Sequence, residues 1–208
     1  MLGIHDLWLF VVSGFLLNLT PGADTLFIAT RSAALGLRFG LAAALGICTG
    51  CLVHVAAAAM GLSAILATSP VAFMVVKWVG AGYLVYMGVG LWRKHAATAE
   101  ASPSSVTSAS WSAVFGQGFL TNVLNPKVAL FFLAFVPQFI APDATHKALA
   151  FMALGGIFTF NSLLWCVALA WLAARMRTLD VNRRLLRWLE RGVGGLFVAL
   201  GFRLALAD

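Results

Sequence analysis

Long apolar blocks alternate with short polar or charged segments along the chain, and this pattern predicts its architecture. A helix needs about 20 residues to cross a hydrocarbon layer roughly 30 Å thick. Six blocks are long enough, and the signals between them predict transmembrane helices at about residues 6–29, 40–67, 71–92, 112–140, 147–173 and 187–206. The predicted fold class is therefore an all-α polytopic membrane protein.

Turn or charge signals mark the connections between the predicted spans. They are Arg31 to Arg38, Ser69-Pro70, Arg93 to Ser110, Pro142-Asp143 and Arg175 to Arg187. The third connection, residues 95–110, is rich in Ala, Ser and Thr and is typical of a flexible linker. These signals divide the chain into a first three-helix unit at 1–95, a cytoplasmic linker at 96–111 and a second three-helix unit at 112–208.

The two halves share an internal repeat. The segment Gly14-Phe-Leu-Leu-Asn18-Leu-Thr20-Pro21 resembles Gly118-Phe-Leu-Thr-Asn122-Val-Leu-Asn125-Pro126, which has one residue inserted before the proline. The second copy starts 104 positions after the first, which is half of the 208 residues. Because three spans per half is an odd number, the halves must enter the membrane upside down relative to each other. Inverted repeats of this kind build many secondary transporters.

Composition and charge exclude several functional classes. With 62% hydrophobic and 10% charged residues, the chain cannot cover a soluble surface. The net charge of +7 comes from basic clusters between apolar blocks, which indicates cytoplasmic loops and not nucleic-acid binding. Ten Lys and Arg residues lie in loops one, three and five and only three on the opposite side. This bias predicts that both termini face outward.

A polar, proline-containing segment interrupts the first span and predicts a helix break. Asn18, Thr20, Pro21, Gly22 and Asp24 fall in its middle, where apolar residues would be the least costly. Pro21 has no backbone N–H to donate, and Gly22 adds backbone freedom. The backbone groups that such a break frees cannot be satisfied by lipid, so the break must face protein or a water-filled cavity. There, the freed groups and half-helix dipoles can bind a charged solute.

Asp24 is the most informative single residue of this break. A carboxylate near the bilayer centre costs about 2.5–3.5 kcal/mol on insertion scales. The functional interpretation is a partner for a substrate ammonium or a proton carrier. The structural alternative is an N-cap for the half-helix that follows Pro21.

The second break is predicted in span four at Asn122, Asn125, Pro126 and Lys127. Lys127 could attract a substrate carboxylate or pair with Asp24 across the pseudo-symmetry axis, or it could extend to the membrane interface. A zwitterionic amino acid would suit two opposite charges placed just after the two breaks.

Weaker candidates remain open from the residues alone. His54 in span two is either a proton relay or a hydrogen-bonded packing residue. Cys48 and Cys51 form a C-x-x-C pair that could be a redox site, although an apolar setting favours inert buried thiols. Asn161 and Ser162 are candidate cavity residues in span five.

Spacing and position support two further structural predictions. The pairs Gly36/Gly40 and Gly46/Gly50 predict close helix packing. Six of the seven tryptophans lie near predicted span ends, and only Trp165 lies deeper. The histidines are scattered singly, so neither a metal site nor a cofactor is expected, and no nucleophile–base constellation suggests an enzyme.

Three motifs in order resemble the LysE/RhtB family of amino-acid exporters. They are Asn18-Leu-Thr-Pro21-Gly22-Ala23-Asp24, the segment from Lys77 to Gly88, and Gly118 to Lys127. The likeness covers essentially the whole chain, with one departure at Ala23, where the family more often has proline. It implies a multi-pass protein of the bacterial inner membrane, with periplasmic termini by the charge bias. It also implies export of amino acids or their derivatives, coupled to protons through the proton-motive force.

The alternatives that this sequence leaves open are a transmembrane thiol/disulfide electron-transfer protein using Cys48 and Cys51 and a passive small-solute channel. The substrate, the coupling stoichiometry and the oligomeric state are not fixed by the residues.

Overall fold

The computed structural model describes residues 2–62 and 110–175, together with single helical positions within 71–89 and 195–202. In these segments the regular structure is helical, apart from one isolated bridge between Ile4 and Ile140. The helices are α1 Leu7–Leu19, α2 Ala23–Leu35, α3 Leu37–Ala57, α4 Trp111–Val123, α5 Pro126–Leu130 and α6 Lys147–Arg175.

Up to four membrane spans are visible in the described part of the chain. The helix Leu37–Gly61, which contains α3, and the helix α6 are each long and apolar enough to cross a bilayer. The bent pair α1–α2 also qualifies if it is one span, and so does α4 together with the helical segment Pro126–Phe139, which begins with α5. These four elements correspond to the predicted spans one, two, four and five. The predicted spans three and six, the linker and the fifth loop lie largely outside the described residues.

The first predicted connection, Arg31 to Arg38, contains the turn between the first two spans but is shorter than expected. Helix α2 continues to Leu35 and α3 begins at Leu37, so only Gly36 separates them. Gly36 has a φ of 88°, a left-handed conformation that glycine adopts at little cost. Arg31 stays on the helix because its guanidinium donates to Gln117 Oε1 at 3.0 Å and lies over the Phe27 ring.

Small residues allow α3 to pack closely against α4, its most extensive neighbour. A methyl group added at Gly50 would lie 2.7 Å from the Phe119 carbonyl oxygen, and one at Gly118 would lie 2.7 Å from the Ala43 carbonyl oxygen. A methyl group at Gly46 would overlap the backbone of α4 in the same way. The packing predicted for Gly46 and Gly50 is thus confirmed.

The two glycines of the other predicted pair, Gly36 and Gly40, have different roles. Gly40 packs against the side chains of Ser32 and Ala170. Gly36 has no neighbour within 4 Å among the described atoms and serves as the turn between α2 and α3, so its predicted packing role is wrong.

An aromatic cluster fills one end of the described core. After α5 the chain continues as a π-helical turn, Phe131–Phe135, and a 3-10 turn, Val136–Phe139. The Phe131 ring lies 4.5 Å from the Phe158 ring and 6.1 Å from the Phe10 ring, measured between centroids. These contacts attach the second half of the broken α4–α5 pair to both α1 and α6.

Tryptophans lie at helix ends where the described residues include them. Trp8 and Trp111 are exposed at the starts of α1 and α4. Trp171 lies in the last two turns of α6 with the Arg175 guanidinium 4.4 Å above its ring. The predicted positions Trp92 and Trp188 lie outside the described residues.

Candidate functional site

Two broken helices meet at the centre of the described structure. Helices α1 and α2 are bent by 55° at a break of three residues, Thr20, Pro21 and Gly22. Helices α4 and α5 are bent by 45° where α4 gives way to Pro126. Both predicted breaks are confirmed: Pro21 lies within the first, and Pro126 begins the helix that follows the second.

The first break is closed from the other half of the chain by Lys127. Because Pro21 has no N–H, the Leu17 carbonyl lacks the donor that a continuous helix would supply. The Nζ of Lys127 donates to the Leu17 oxygen at 3.1 Å and to the Thr20 oxygen at 3.0 Å. Thr20 also folds back locally, and its Oγ1 donates to the Leu16 oxygen at 2.9 Å. Lys127 therefore points into the protein at the first break and does not extend to the membrane interface.

The second break is closed from α3 by His54. Pro126 deprives the Asn122 carbonyl of its helical donor. The His54 Nε2 donates to this oxygen at 3.0 Å, and the Asn125 N–H donates to it at 2.9 Å. The His54 ring also stacks on Phe132. The hydrogen-bonded packing alternative for His54 is what the geometry presents, and a proton relay through His54 stays a prediction.

Asp24 joins the two breaks. Its Oδ2 accepts a hydrogen bond from the Asn122 Nδ2 at 2.9 Å, across 98 positions of sequence. Lys127 lines the same cavity as this carboxylate. The N-cap alternative is wrong, because Gly22 occupies the N-cap position of α2 and Asp24 lies within the first turn. In the first turn of α2, the helix dipole stabilises a negative charge.

Asn125 and Gly22 have local structural roles. The Asn125 Oδ1 accepts from the Lys127 N–H at 3.0 Å and caps α5, so it holds the second break in shape. Gly22 is extended, a conformation that any residue adopts, and an added methyl group would meet the Lys127 Nζ at an ordinary 3.5 Å. The backbone freedom expected of Gly22 is therefore not used in this structure.

A small, partly open cavity of about 20 Å³ lies where the broken helices face α3 and α6. Four of the predicted site residues line it: Asn18, Asp24, Asn122 and Lys127. The rest of the predicted set (Thr20, Pro21, Gly22, Asn125 and Pro126) forms the breaks that position those four. The apolar part of the lining consists of Leu17, Ile28, Ile47, Val128, Phe158 and Leu169.

The cavity also contains polar residues that sequence reasoning missed. Thr25, Trp165 and Cys166 line it, and none of them was singled out as a site residue. The available signal for Trp165 was its depth, since it is the one tryptophan away from the predicted span ends. Of the two candidates left open in span five, Ser162 lines the cavity and Asn161 is not among the lining residues.

Several polar atoms of the lining are buried without a hydrogen-bond partner among the described atoms. They are Asn18 Nδ2, Asp24 Oδ1, Asn122 Oδ1 and Trp165 Nε1. A buried donor or acceptor left unsatisfied costs about 1–3 kcal/mol. Each of these atoms is therefore a position where a solute or water can bind.

The thiols are arranged as packing residues. Cys48 contacts Cys166, whereas Cys51 accepts a hydrogen bond from the Thr159 Oγ1 at 3.4 Å. The two members of the C-x-x-C pair thus belong to different apolar clusters. Within the described ranges, no three His, Cys, Asp or Glu side chains are placed to hold a metal ion.

Comparison with known proteins identifies the family. The model of the LysE type translocator family matches residues 15–208. The chain belongs to that family. The match includes both breaks and the whole described cavity, and with the apolar helices it establishes a membrane protein.

Relatives of the chain align over nearly its whole length. A leucine efflux protein of Enterobacter is 31% identical over 98% of this chain and 96% of its own. A homoserine/homoserine lactone efflux protein of Salmonella typhi is 30% identical over 95% of each chain. An uncharacterized membrane protein of Pseudomonas aeruginosa is 34% identical over 99% of this chain. No solved structure matches.

Proposed function

We propose that this protein is a secondary transporter that exports amino acids or amino-acid derivatives across the bacterial inner membrane, driven by protons. Substrate and proton move along the pathway formed by Asn18, Asp24, Asn122 and Lys127. Thr20, Pro21, Gly22, Asn125 and Pro126 give this pathway its shape.

The observation that carries the proposal is a cavity lined by two opposite charges at the meeting point of two helix breaks. Asp24 and Lys127 both line it, and each comes from a different half of the chain. An α-amino acid carries one ammonium and one carboxylate, so this pair of side chains complements both of its charged groups. Charged residues within membrane spans generally mark the pathway of a substrate or ion.

The breaks support a transporter with alternating access. Four side-chain hydrogen bonds cross between the halves at the two described breaks: two from Lys127 to the first break, one from Asn122 to Asp24 and one from His54 to the Asn122 carbonyl. A substrate that replaces any of these bonds changes how strongly the halves hold each other. In transporters built from inverted repeats, rocking of one repeat against the other around such a site exposes it to alternate sides.

Proton coupling follows from competition for Asp24. The carboxylate can bind either the substrate ammonium or a proton, and both states neutralise a charge that is costly in the membrane. A proton entering from outside would then displace the outgoing ammonium. The efflux proteins named among the relatives support amino acids as the cargo.

The test is efflux from a bacterial strain that accumulates amino acids from supplied dipeptides, with and without expression of this chain. We expect expression to accelerate efflux of one or a few amino acids against their gradient, and a protonophore to abolish the acceleration. Efflux that ignores the protonophore and stops at equal concentrations would show a passive channel instead.

A matched pair of variants addresses electron transfer through thiols. The Cys48→Ser and Cys51→Ser variants should export at nearly the parental rate, because these thiols make packing contacts and line different clusters. Loss of function in both variants, at unchanged protein level, would contradict the transporter proposal in favour of a thiol-dependent activity.

A further inference from the structure

We infer that the first helix break is a binding site for a small monovalent cation, and that the ammonium group of Lys127 occupies this site from within the chain. The carbonyl oxygens of Leu17 and Thr20 form the site. If the lysine side chain is shortened, a free cation of the same chemistry, such as methylammonium, takes the place of its head.

Two backbone oxygens at the end of α1 converge on one positively charged atom. The Lys127 Nζ lies 3.1 Å from the Leu17 oxygen and 3.0 Å from the Thr20 oxygen. Helix α1 ends at Leu19, so these oxygens lie at the negative end of its dipole. In transporters with broken helices, unwound carbonyls and half-helix C-terminal ends of this kind coordinate Na⁺ or protons. The break therefore has the chemistry of a cation site.

Lys127 reaches this site from the other half of the chain. It lies in the sequence 110 positions from Leu17 and 107 from Thr20. Its own backbone is fixed at the start of α5, where its N–H donates to the Asn125 Oδ1 at 3.0 Å. A group tethered so closely to its binding site acts at a high effective concentration. A free cation in the surrounding solution therefore competes poorly with the lysine head.

The surroundings balance one positive charge and leave no space for a second cation. Asp24 and Lys127 are the two charged residues among the described residues that line the cavity, and their charges are opposite. A methyl group added at Gly22 would lie 3.5 Å from the Lys127 Nζ and 3.8 Å from its Cε, so the lysine head fills the space beside the break. The cavity of about 20 Å³ has room for roughly one water molecule.

The experiment is thermal unfolding of the full chain in one detergent, in choline chloride or in methylammonium chloride at equal ionic strength. Choline is too large to enter the space of a lysine head, whereas methylammonium reproduces the end of that side chain. Because Lys127 already fills the site, we expect the parental protein to have the same unfolding midpoint in both salts. The measurement needs no transported substrate and is therefore independent of the proposed export function.

Two substitutions at one position separate cation binding from packing. Lys127→Ala removes the head and opens the site, whereas Lys127→Met removes the charge and keeps an apolar chain in the same space. We expect methylammonium to raise the midpoint of Lys127→Ala saturably, by about 3–6 °C at roughly ten times its dissociation constant. The Lys127→Met variant should show no such rise.

Lys147→Ala is the control for loss of a lysine elsewhere. Lys147 begins α6, outside the two breaks, and is not among the residues that line the cavity. Its substitution removes the same side chain without opening the site at the first break. The Lys147→Ala variant should therefore have equal midpoints in the two salts, like the parental protein.

Each outcome decides for or against the cation site. A saturable rise confined to Lys127→Ala supports it, and so does recovery of that variant in folded form only when methylammonium is present during extraction. An equal rise in the parental protein or in Lys127→Met would place the bound cation elsewhere and overturn the inference. Absence of any rise in Lys127→Ala, or failure to recover it with methylammonium present, would overturn it as well.

Discussion

At each helix break, a side chain donates a hydrogen bond to the carbonyl that the proline leaves without its helical donor. Pro21 and Pro126 each leave one carbonyl without its helical donor, and in both cases a neighbouring backbone N–H and a basic side chain from another element donate to it instead. Lys127 binds the Leu17 oxygen and His54 binds the Asn122 oxygen. Because lipid offers no hydrogen bonds, such repair is a condition for a break inside the membrane. At the first break the repairing group also lines the cavity, which links backbone structure to substrate binding.

At this scale we expect Asp24→Asn to leave the protein folded in membranes while export falls by about tenfold or more. The amide side chain has the same shape and can still accept the hydrogen bond from Asn122. It loses the charge that binds an ammonium or a proton, and a hydrogen bond to a charged group contributes about 1.5–3 kcal/mol. The measurement is efflux normalised to the amount of protein in the membrane.

The control for this substitution is Asp6→Asn, in the half-exposed segment before α1. It removes the same charge far from the cavity and should leave export unchanged. Parental export from the Asp24→Asn variant would remove Asp24 from the centre of the mechanism.

Between elements, the absence of side chains at three glycines decides how near α3 and α4 come. We expect Gly118→Ala to destabilise the protein by about 1–3 kcal/mol, because the added methyl group would meet the Ala43 carbonyl and force the helices apart. Two residues earlier on α4, Gly116 has no described neighbour within 4 Å. Gly116→Ala should therefore stabilise the helix by about 0.5–1 kcal/mol.

The measurement for this pair is the midpoint of thermal unfolding in one detergent. The two substitutions add the same methyl group to the same helix and should shift the midpoint in opposite directions. Equal shifts would mean that the packing of α3 against α4 is not the tight contact described here.

The second break offers another test at the level of elements. Pro126→Ala restores an N–H that can bond to the Asn122 carbonyl, in competition with His54. We expect α4 and α5 to straighten and the maximal rate of export to fall severalfold. Pro142→Ala, in the exposed loop before α6, is the matched control and should keep the parental rate. Unchanged kinetics in Pro126→Ala would contradict a mechanism that depends on two breaks.

For the whole molecule, the open question of orientation has a direct test. The charge bias predicts that both termini are periplasmic, and the first of the basic segments contains the turn at Gly36 between α2 and α3. Alkaline phosphatase fused after Asp208 should be active, and green fluorescent protein fused there should be dark. The reverse result would place the C-terminus in the cytoplasm and reverse the predicted orientation of every span in the membrane.

The sequence by itself determined the elements that depend on local chemistry. Apolar length predicted the spans seen at α1–α2, α3, α4–α5 and α6, since burying a helix in lipid depends on its own residues. Proline predicted both breaks, since its missing N–H acts within one turn. Sequence also indicated four polar residues of the site, because a polar side chain inside a membrane is costly unless it has a partner. These residues are Asn18, Asp24, Asn122 and Lys127.

Only the tertiary structure decided which partners these groups have. That Lys127 binds the carbonyls of the other break, that His54 binds the second, and that Asp24 meets Asn122 are contacts between residues 68 to 110 positions apart. Periodicity and composition carry no record of such distances. Trp165 shows the same limit, because only helix packing decides that this residue of an apolar helix lines the cavity.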